Sequence, residues 1–90
     1  MLRRLRVTGR VQGVWYRGWA VEQAVALGLD GWVRNRSDGS VEILVSGAEA
    51  AVAELIRRCH EGPAAARVER VEAEPCDEDV PPGFAQRPTA

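Results

Sequence analysis

The chain has 90 residues, of which 46% are hydrophobic, and its 12 basic and 13 acidic residues give a net charge of -1. This length supports one domain with one core, since it exceeds the roughly 40 residues below which disulfides or metals are usually needed. The balanced charge excludes an overall field that recruits nucleic acid or membranes, so any anion site must be local. Every basic residue is an arginine, so a cationic side chain that contacts phosphate here must be a guanidinium.

Cysteine, histidine and hydropathy patterns exclude further classes. Cys59 and Cys76 lack the paired spacing of a zinc or redox motif, and His60 is the single histidine, so we expect reduced thiols and no metal or other cofactor. No apolar run approaches the roughly 18 residues of a membrane span, and the N-terminus does not read as a signal peptide. We therefore expect a cytoplasmic protein with no membrane partner.

The first half of the chain predicts a strand followed by a helix. Leu5 and Val7 alternate with polar residues, which indicates a half-buried strand that ends near Thr8. Two glycines then break the pattern. Helical spacing from about Tyr16 to Leu27 predicts a helix that ends at Gly28 in a left-handed cap.

A hairpin comes next. Trp32 to Arg36 reads as a strand, and Asp38-Gly39 is a strong signal for the turn that leads into a third strand over Val41–Val45. Ser46 and Glu49 have the S-x-x-E spacing of a capping box, which predicts the start of a second helix there.

The second helix carries an apolar stripe that runs to Cys59. A fourth strand follows, and its imperfect alternation predicts a bulge between Val68 and Val71. Beyond Pro75 the chain is acidic and rich in proline, which predicts an irregular tail over residues 77–90.

This order of elements predicts an α+β fold, a ferredoxin-like α/β sandwich with βαββαβ order. Right-handed crossovers place both helices on one face of an antiparallel four-stranded sheet. We expect one domain over residues 1–90, with its core at about residues 3–76.

The junction between the first strand and the first helix is the candidate site. A loop that carries glycines can turn several backbone amides inward, and the helix N-terminus adds partial positive charge, so the loop can hold a phosphate-sized anion. Arg17 lies in the first helical turn, where a cation is disfavoured unless an anion offsets it. From spacing alone, a solvated surface arginine explains Arg17 equally well. Gly18 lowers helix propensity by about 1 kcal/mol relative to alanine.

Asn35 is the second candidate, because it lies near the end of the second strand and asparagine is depleted in strands. An asparagine that starts the hairpin turn is the structural alternative.

Two motifs resemble a known family. Residues 9–17, Gly-Arg-Val-Gln-Gly-Val-Trp-Tyr-Arg, resemble the phosphate loop of the acylphosphatases, G-x-V-Q-G-V-x-[FY]-R. Residues 28–35 are similar to the family's second motif, G-x-x-G-W-V-[RK]-N. Members commonly close with a strand of the type F-x-I-R, whereas this chain reads Phe84-Ala85-Gln86-Arg87-Pro88, which puts that strand in doubt.

The resemblance implies hydrolysis of acyl phosphates to a carboxylate and inorganic phosphate, by in-line attack of water and without a metal or a covalent intermediate. It implies that Arg17 binds the phosphoryl oxygens and that Asn35 holds the water. The remaining donors to the phosphoryl group would be the backbone amides of a phosphate cradle formed by Val11, Gln12, Gly13, Val14, Trp15 and Tyr16. The expected partners are a small acyl phosphate and inorganic phosphate, which is product and competitive ligand.

Two other functions share this pattern of elements. A non-catalytic module could keep the anion cradle without turnover. An RNA-recognition domain has the same order of strands and helices, but such domains stack bases on aromatic residues of their central strands, and the first and third strands contain none. We expect no nucleic-acid partner and a monomer.

Overall fold

The computed structural model describes all of residues 1–90. Its elements, in chain order, are β1 (Leu2–Arg10), α1 (Tyr16–Ala26), β2 (Asp30–Asn35), β3 (Val41–Ser46), α2 (Glu49–Cys59), β4 (Arg67–Pro75) and β5 (Phe84–Arg87). The strands form one sheet in the order β4-β1-β3-β2-β5. The first six elements have the predicted βαββαβ order, which confirms the ferredoxin-like fold.

One core lies between the sheet and the two helices. Leu5 of β1 and Val33 of β2 both pair with Ile43 of β3, so the three side chains project from the same face of the sheet. All three are fully buried in a cluster that includes Ala20 of α1 and Leu55 of α2. The hydrophobic effect therefore holds both helices on this one face, as predicted.

The ends of α1 and the course of β4 also agree with the sequence. The amide of Gly28 donates to Val25 and that of Leu29 donates to Ala24, which is the Schellman pattern that ends a helix. In β4, the register with β1 shifts so that Glu69 has no partner. The bulge therefore lies between Val68 and Val71, as predicted.

The predicted irregular tail is wrong at residues 84–87, which form β5. This strand pairs in parallel with β2, with Val33 opposite Gln86, so the sheet has five strands rather than four and is not purely antiparallel. Pro88 lies beyond the strand, where its missing N–H removes no ladder bond. Phe84 packs partly buried against the core, and this contact offsets the weak strand propensity of its neighbours.

The predicted capping box is also wrong. Ser46 is the last residue of β3, where it pairs with Leu2 and Asp30, and α2 begins at Glu49 with Ala48 as its cap residue. No side chain caps this helix. Because the sheet ladder holds the backbone of Ser46, its hydroxyl is too early in the chain to cap α2.

Candidate active site

The loop between β1 and α1 leaves its backbone donors free. The amides of residues 11–15 donate to no acceptor in the chain. Gly13 has a φ of 73° and Trp15 a φ of 66°, while Val11 and Val14 are buried and anchor the loop in the core. Left-handed residues in such a turn aim successive N–H groups into one concavity, which suits an anion.

The N-terminus of α1 opens into the same concavity. Its first-turn amides have no intrahelical acceptors, and no side chain caps them, because Trp15 occupies the cap position. The helix dipole adds partial positive charge at this end. Loop and helix therefore form one continuous set of donors, which we call the cradle, at residues 11–18.

Arg17 is a partly buried cation without a counterion. The ion pairs of the chain involve Arg4, Arg6, Arg34, Arg36, Arg57, Arg58 and Arg70, and none involves Arg17. Its position at a helix N-terminus adds a second unfavourable interaction, since the dipole repels a cation there. A bound anion would relieve both.

Asn35 presents a buried acceptor that no donor reaches. Its Oδ1 exposes less than 1 Å² of surface and has no hydrogen-bond partner in the chain. Leaving such an atom unpaired costs about 1–3 kcal/mol. The backbone of Asn35 is held on both sides, because it pairs with Val41 and its carbonyl accepts from the amide of Ala90 at 3.0 Å.

One cavity of 130 Å³ brings these groups together. This volume exceeds the roughly 10–15 Å³ that a single water requires, so the cavity can hold a tetrahedral oxyanion together with a water molecule. It is lined by Val11, Gly13, Trp15, Tyr16, Arg17, Gly18, Asn35 and Gln86.

Two predicted cradle residues, Gln12 and Val14, do not line the cavity. The side-chain amide of Gln12 donates to the carbonyl of Arg36 at 2.7 Å and to that of Ser40 at 2.9 Å. These bonds tie the loop to the β2–β3 hairpin, and therefore to the strand that carries Asn35. Val14 is a core anchor.

Tyr16 holds the start of α1 against α2. Its hydroxyl donates to the carbonyl of Cys59 at 2.7 Å, and burial raises the pKa of the phenol well above its usual value. Burial also raises the pKa of the Cys59 thiol, to about 11. A neutral phenol and a neutral thiol are expected at pH 7, so the side chain of Tyr16 acts as an anchor.

The sequence missed Gln86 and Gly18 as cavity residues. Gln86 reaches the site because β5 pairs beside β2, and no local pattern signals that pairing. Gly18 could have been identified from the sequence, because glycine has a low helix propensity and this one lies in a helix, directly after Arg17. A glycine at such a position indicates that a larger side chain would obstruct a neighbouring group.

A second, larger concavity lies on the opposite face of the sheet, and we call it the outer groove. It has a volume of 470 Å³ and is lined chiefly by charged residues: Arg4, Arg6, Arg34, Arg36, Glu42, Glu72 and Glu74, beside Leu5, Ser40 and Ala73. Glu42 lies between three arginines. Its carboxylate is 3.3 Å from Arg4, 2.6 Å from Arg34 and 3.2 Å from Arg36.

No group of three or more His, Cys, Asp or Glu side chains is placed to hold a metal ion. None of the helices combines the length and the apolar character that a bilayer span requires.

Comparisons with known proteins point to one family. The family model for acylphosphatases matches residues 3–86. An acylphosphatase of Rhizorhabdus wittichii is 54% identical over 87 residues, which cover 97% of this chain and 88% of the relative. One from Acidovorax is 58% identical over 90 residues, covering 97% and 90%. The crystal structure of the acylphosphatase from Bacillus subtilis superimposes with a TM-score of 0.90 at 34% identity, over 97% of this chain and 99% of the other.

Proposed function

The chain belongs to the acylphosphatase family and hydrolyses acyl phosphates, and from this premise we propose that Arg17, the cradle and Asn35 perform the reaction. One observation carries the proposal. A cation without a counterion and a buried acceptor without a donor line the same cavity, which is small enough for a phosphoryl group. An oxyanion and a water molecule would satisfy both.

The cradle and Arg17 bind the phosphoryl group of the substrate. Backbone amides donate to its oxygens, and the guanidinium of Arg17 offers a planar pair of donors that matches two of them. Phosphoryl transfer has a loose transition state in which charge spreads over the three equatorial oxygens. Donors that are already oriented stabilise this charge without reorganising during the reaction.

Asn35 positions the attacking water. Its Oδ1 accepts a hydrogen bond from the water, which leaves a lone pair on the water oxygen free to attack phosphorus. The carboxylate departs on the opposite side, and inorganic phosphate remains in the cradle. Since Asn35 is held on both sides by backbone bonds, the water starts from a defined place.

The chemistry needs no acid, no metal and no covalent intermediate. The leaving group is a carboxylate whose conjugate acid has a pKa near 4, so it departs at neutral pH without protonation. Positioning and charge stabilisation are then sufficient, and a single displacement by water completes the reaction.

The protein works as a monomer in the cytoplasm, with no nucleic-acid partner. Arg17, Asn35 and the cradle meet within a single fold, so assembling the site requires no residue from a second subunit. Trp32, the aromatic residue of β2 that could have stacked a base, is only 4% exposed and lies beneath the guanidinium groups of Arg34 and Arg87. Light scattering after size exclusion checks the oligomeric state.

Hydrolysis of benzoyl phosphate in ¹⁸O-labelled water, with a chelator present, tests the proposal. We expect steady turnover without a burst, competitive inhibition by inorganic phosphate, and one labelled oxygen in each phosphate released. Label in benzoate instead would mean attack at carbon and would refute the role of Asn35. Phosphate binding without turnover would favour the non-catalytic module, and loss of activity with the chelator would refute metal independence.

A further inference from the structure

The acyl half of the substrate has no room inside the cavity, and this leads to a specificity residue. We propose that the exposed indole of Trp15 is the platform on which the acyl group lies, so that the enzyme prefers aromatic acyl phosphates to acetyl phosphate. The inference rests on the proposed function, because it assumes that the phosphoryl group occupies the cradle.

Cavity volume sets the first constraint. Pockets that enclose whole drug-sized ligands measure about 300–1,000 Å³, whereas this one measures 130 Å³. A cavity of less than half the lower limit of that range can take the phosphoryl group and its attacking water but not the whole substrate. A benzoyl group must therefore extend through the mouth, where it contacts whatever surrounds the opening.

Trp15 is the large apolar side chain at that opening. It is 59% exposed and lines the cavity, whereas the other large apolar residues with high exposure, Met1 and Val25, do not. Flat acyl groups can stack on an indole, because offset-stacked aromatic pairs attract beyond the area that they bury. An acetyl group has no such face to offer.

The backbone of Trp15 is strained in a way that serves this position. It is the one residue other than glycine with a positive φ, 66°, a conformation that is strained for any side chain with a Cβ. Such strain concentrates at functional sites. Here it keeps an aromatic side chain at the turn that forms the cradle.

Gly18 holds the indole in place. A Cβ added at Gly18 would overlap Nε1 of Trp15 and would lie 2.8 Å from both Cδ1 and Cε2. The five-membered ring therefore lies directly on the first turn of α1. This contact explains why a residue of low helix propensity follows Arg17.

Substitutions of Trp15 test the platform through a ratio of rates. We expect Trp15→Ala to lower the ratio of kcat/KM for benzoyl phosphate to that for acetyl phosphate by about 3- to 10-fold. The ratio cancels any loss that the loop change imposes on both substrates, and alanine keeps the cost of a Cβ at this φ. Trp15→Phe should restore most of the ratio.

Gly18→Ala offers an independent test, because its Cβ displaces the indole while Trp15 remains. It should lower the same ratio, and Val25→Ala, which truncates an equally exposed side chain of α1 away from the site, should leave both rates unchanged. If Trp15→Ala fails to fold, Trp15→Phe and Gly18→Ala carry the test.

An unchanged ratio in the folded Trp15 and Gly18 variants would overturn the inference and leave the proposed reaction intact. Failure of the unsubstituted protein to hydrolyse either substrate would instead refute the proposed function. The two failures are therefore distinguishable in one set of assays.

Discussion

The molecule has two arginine-lined concavities on opposite faces of its sheet, and they differ in whether a carboxylate neutralises the arginines. In the outer groove, Arg4, Arg34 and Arg36 converge on the carboxylate of Glu42. In the cradle, Arg17 faces unpaired backbone amides and no carboxylate. The outer groove has more than three times the volume, 470 Å³ against 130 Å³. Neither size nor the number of arginines therefore identifies the anion site.

What separates the two regions is whether the protein supplies its own anion. Glu42 is 9% exposed, accepts hydrogen bonds from Arg34 and Arg36 and lies 3.3 Å from Arg4, so a ligand anion would have to compete with a carboxylate already in place. In the cradle, the backbone amides have no acceptor within the protein, so they remain available to bind the substrate. An unsatisfied buried group in a native protein calls for an explanation, and binding provides one here.

The largest expected effect on the rate comes from removing the guanidinium of Arg17, which has no counterion in the cradle. Arg17→Gln should lower the rate of benzoyl phosphate hydrolysis by about 100-fold or more, because it removes an oriented donor to developing charge. The matched control, Arg34→Gln, removes a guanidinium from the outer groove and should stay within about twofold of the parent rate. Circular dichroism should be unchanged for Arg17→Gln. Equal losses in the two variants would show that the cradle and the outer groove do not differ in their role in the reaction.

Asn35→Ala should come next, with a decrease in kcat of up to about 100-fold, since a misplaced nucleophile costs rate of that order. Inorganic phosphate should still inhibit with nearly the same Ki, because the side chain handles water rather than the phosphoryl group. Parallel changes in kcat and Ki would show that Asn35 belongs to the binding surface instead.

Gln12→Ala tests how the cradle keeps its shape. The substitution removes both bonds to the hairpin and leaves the carbonyls of Arg36 and Ser40 without this donor, at about 1–2 kcal/mol. We expect about a 10-fold loss of kcat/KM, since the loop and Asn35 lose their tie. Thermal unfolding and steady-state kinetics of the same preparation measure the loss of stability and the loss of kcat/KM. A loss of stability with full activity would contradict the positioning role of Gln12.

Glu42→Gln should have the smallest effect on turnover, within about twofold. This variant tests whether Glu42 neutralises the arginines of the outer groove. Removing the shared carboxylate should cost about 1 kcal/mol after allowance for partly exposed arginines, or roughly 4–8 °C in Tm. Arg34 and Arg36 then lack an anion, whereas Arg4 keeps its ion pair with Glu78, so added sulfate should raise the Tm of Glu42→Gln more than that of the parent. No difference in the response to sulfate would mean that Glu42 is not what neutralises the outer groove.

Much of the fold could be predicted because its signals are local. The alternation around Leu5, the helical spacing up to Gly28 and the Asp-Gly turn each describe neighbours in the chain. Arg17 and Asn35 could be singled out for the same reason, since each conflicts with its local element. The local pattern gave a wrong prediction where pairing in the sheet overrode it. Ser46 and Glu49 have the spacing of a capping box, but the backbone of Ser46 is paired in β3.

Sequence alone determined the order of elements, the faces that enter the core and the loop whose glycines and arginine suit phosphate, because these depend on residues a few positions apart. Tertiary structure alone decided that the arginine beside the cavity lacks a carboxylate, that β5 carries Gln86 to the cavity, and that the indole of Trp15 lies on Gly18. Ion pairs, strand pairing and side-chain packing join groups according to their distance in space. For segments far apart in the chain, that distance is set by the folded sheet.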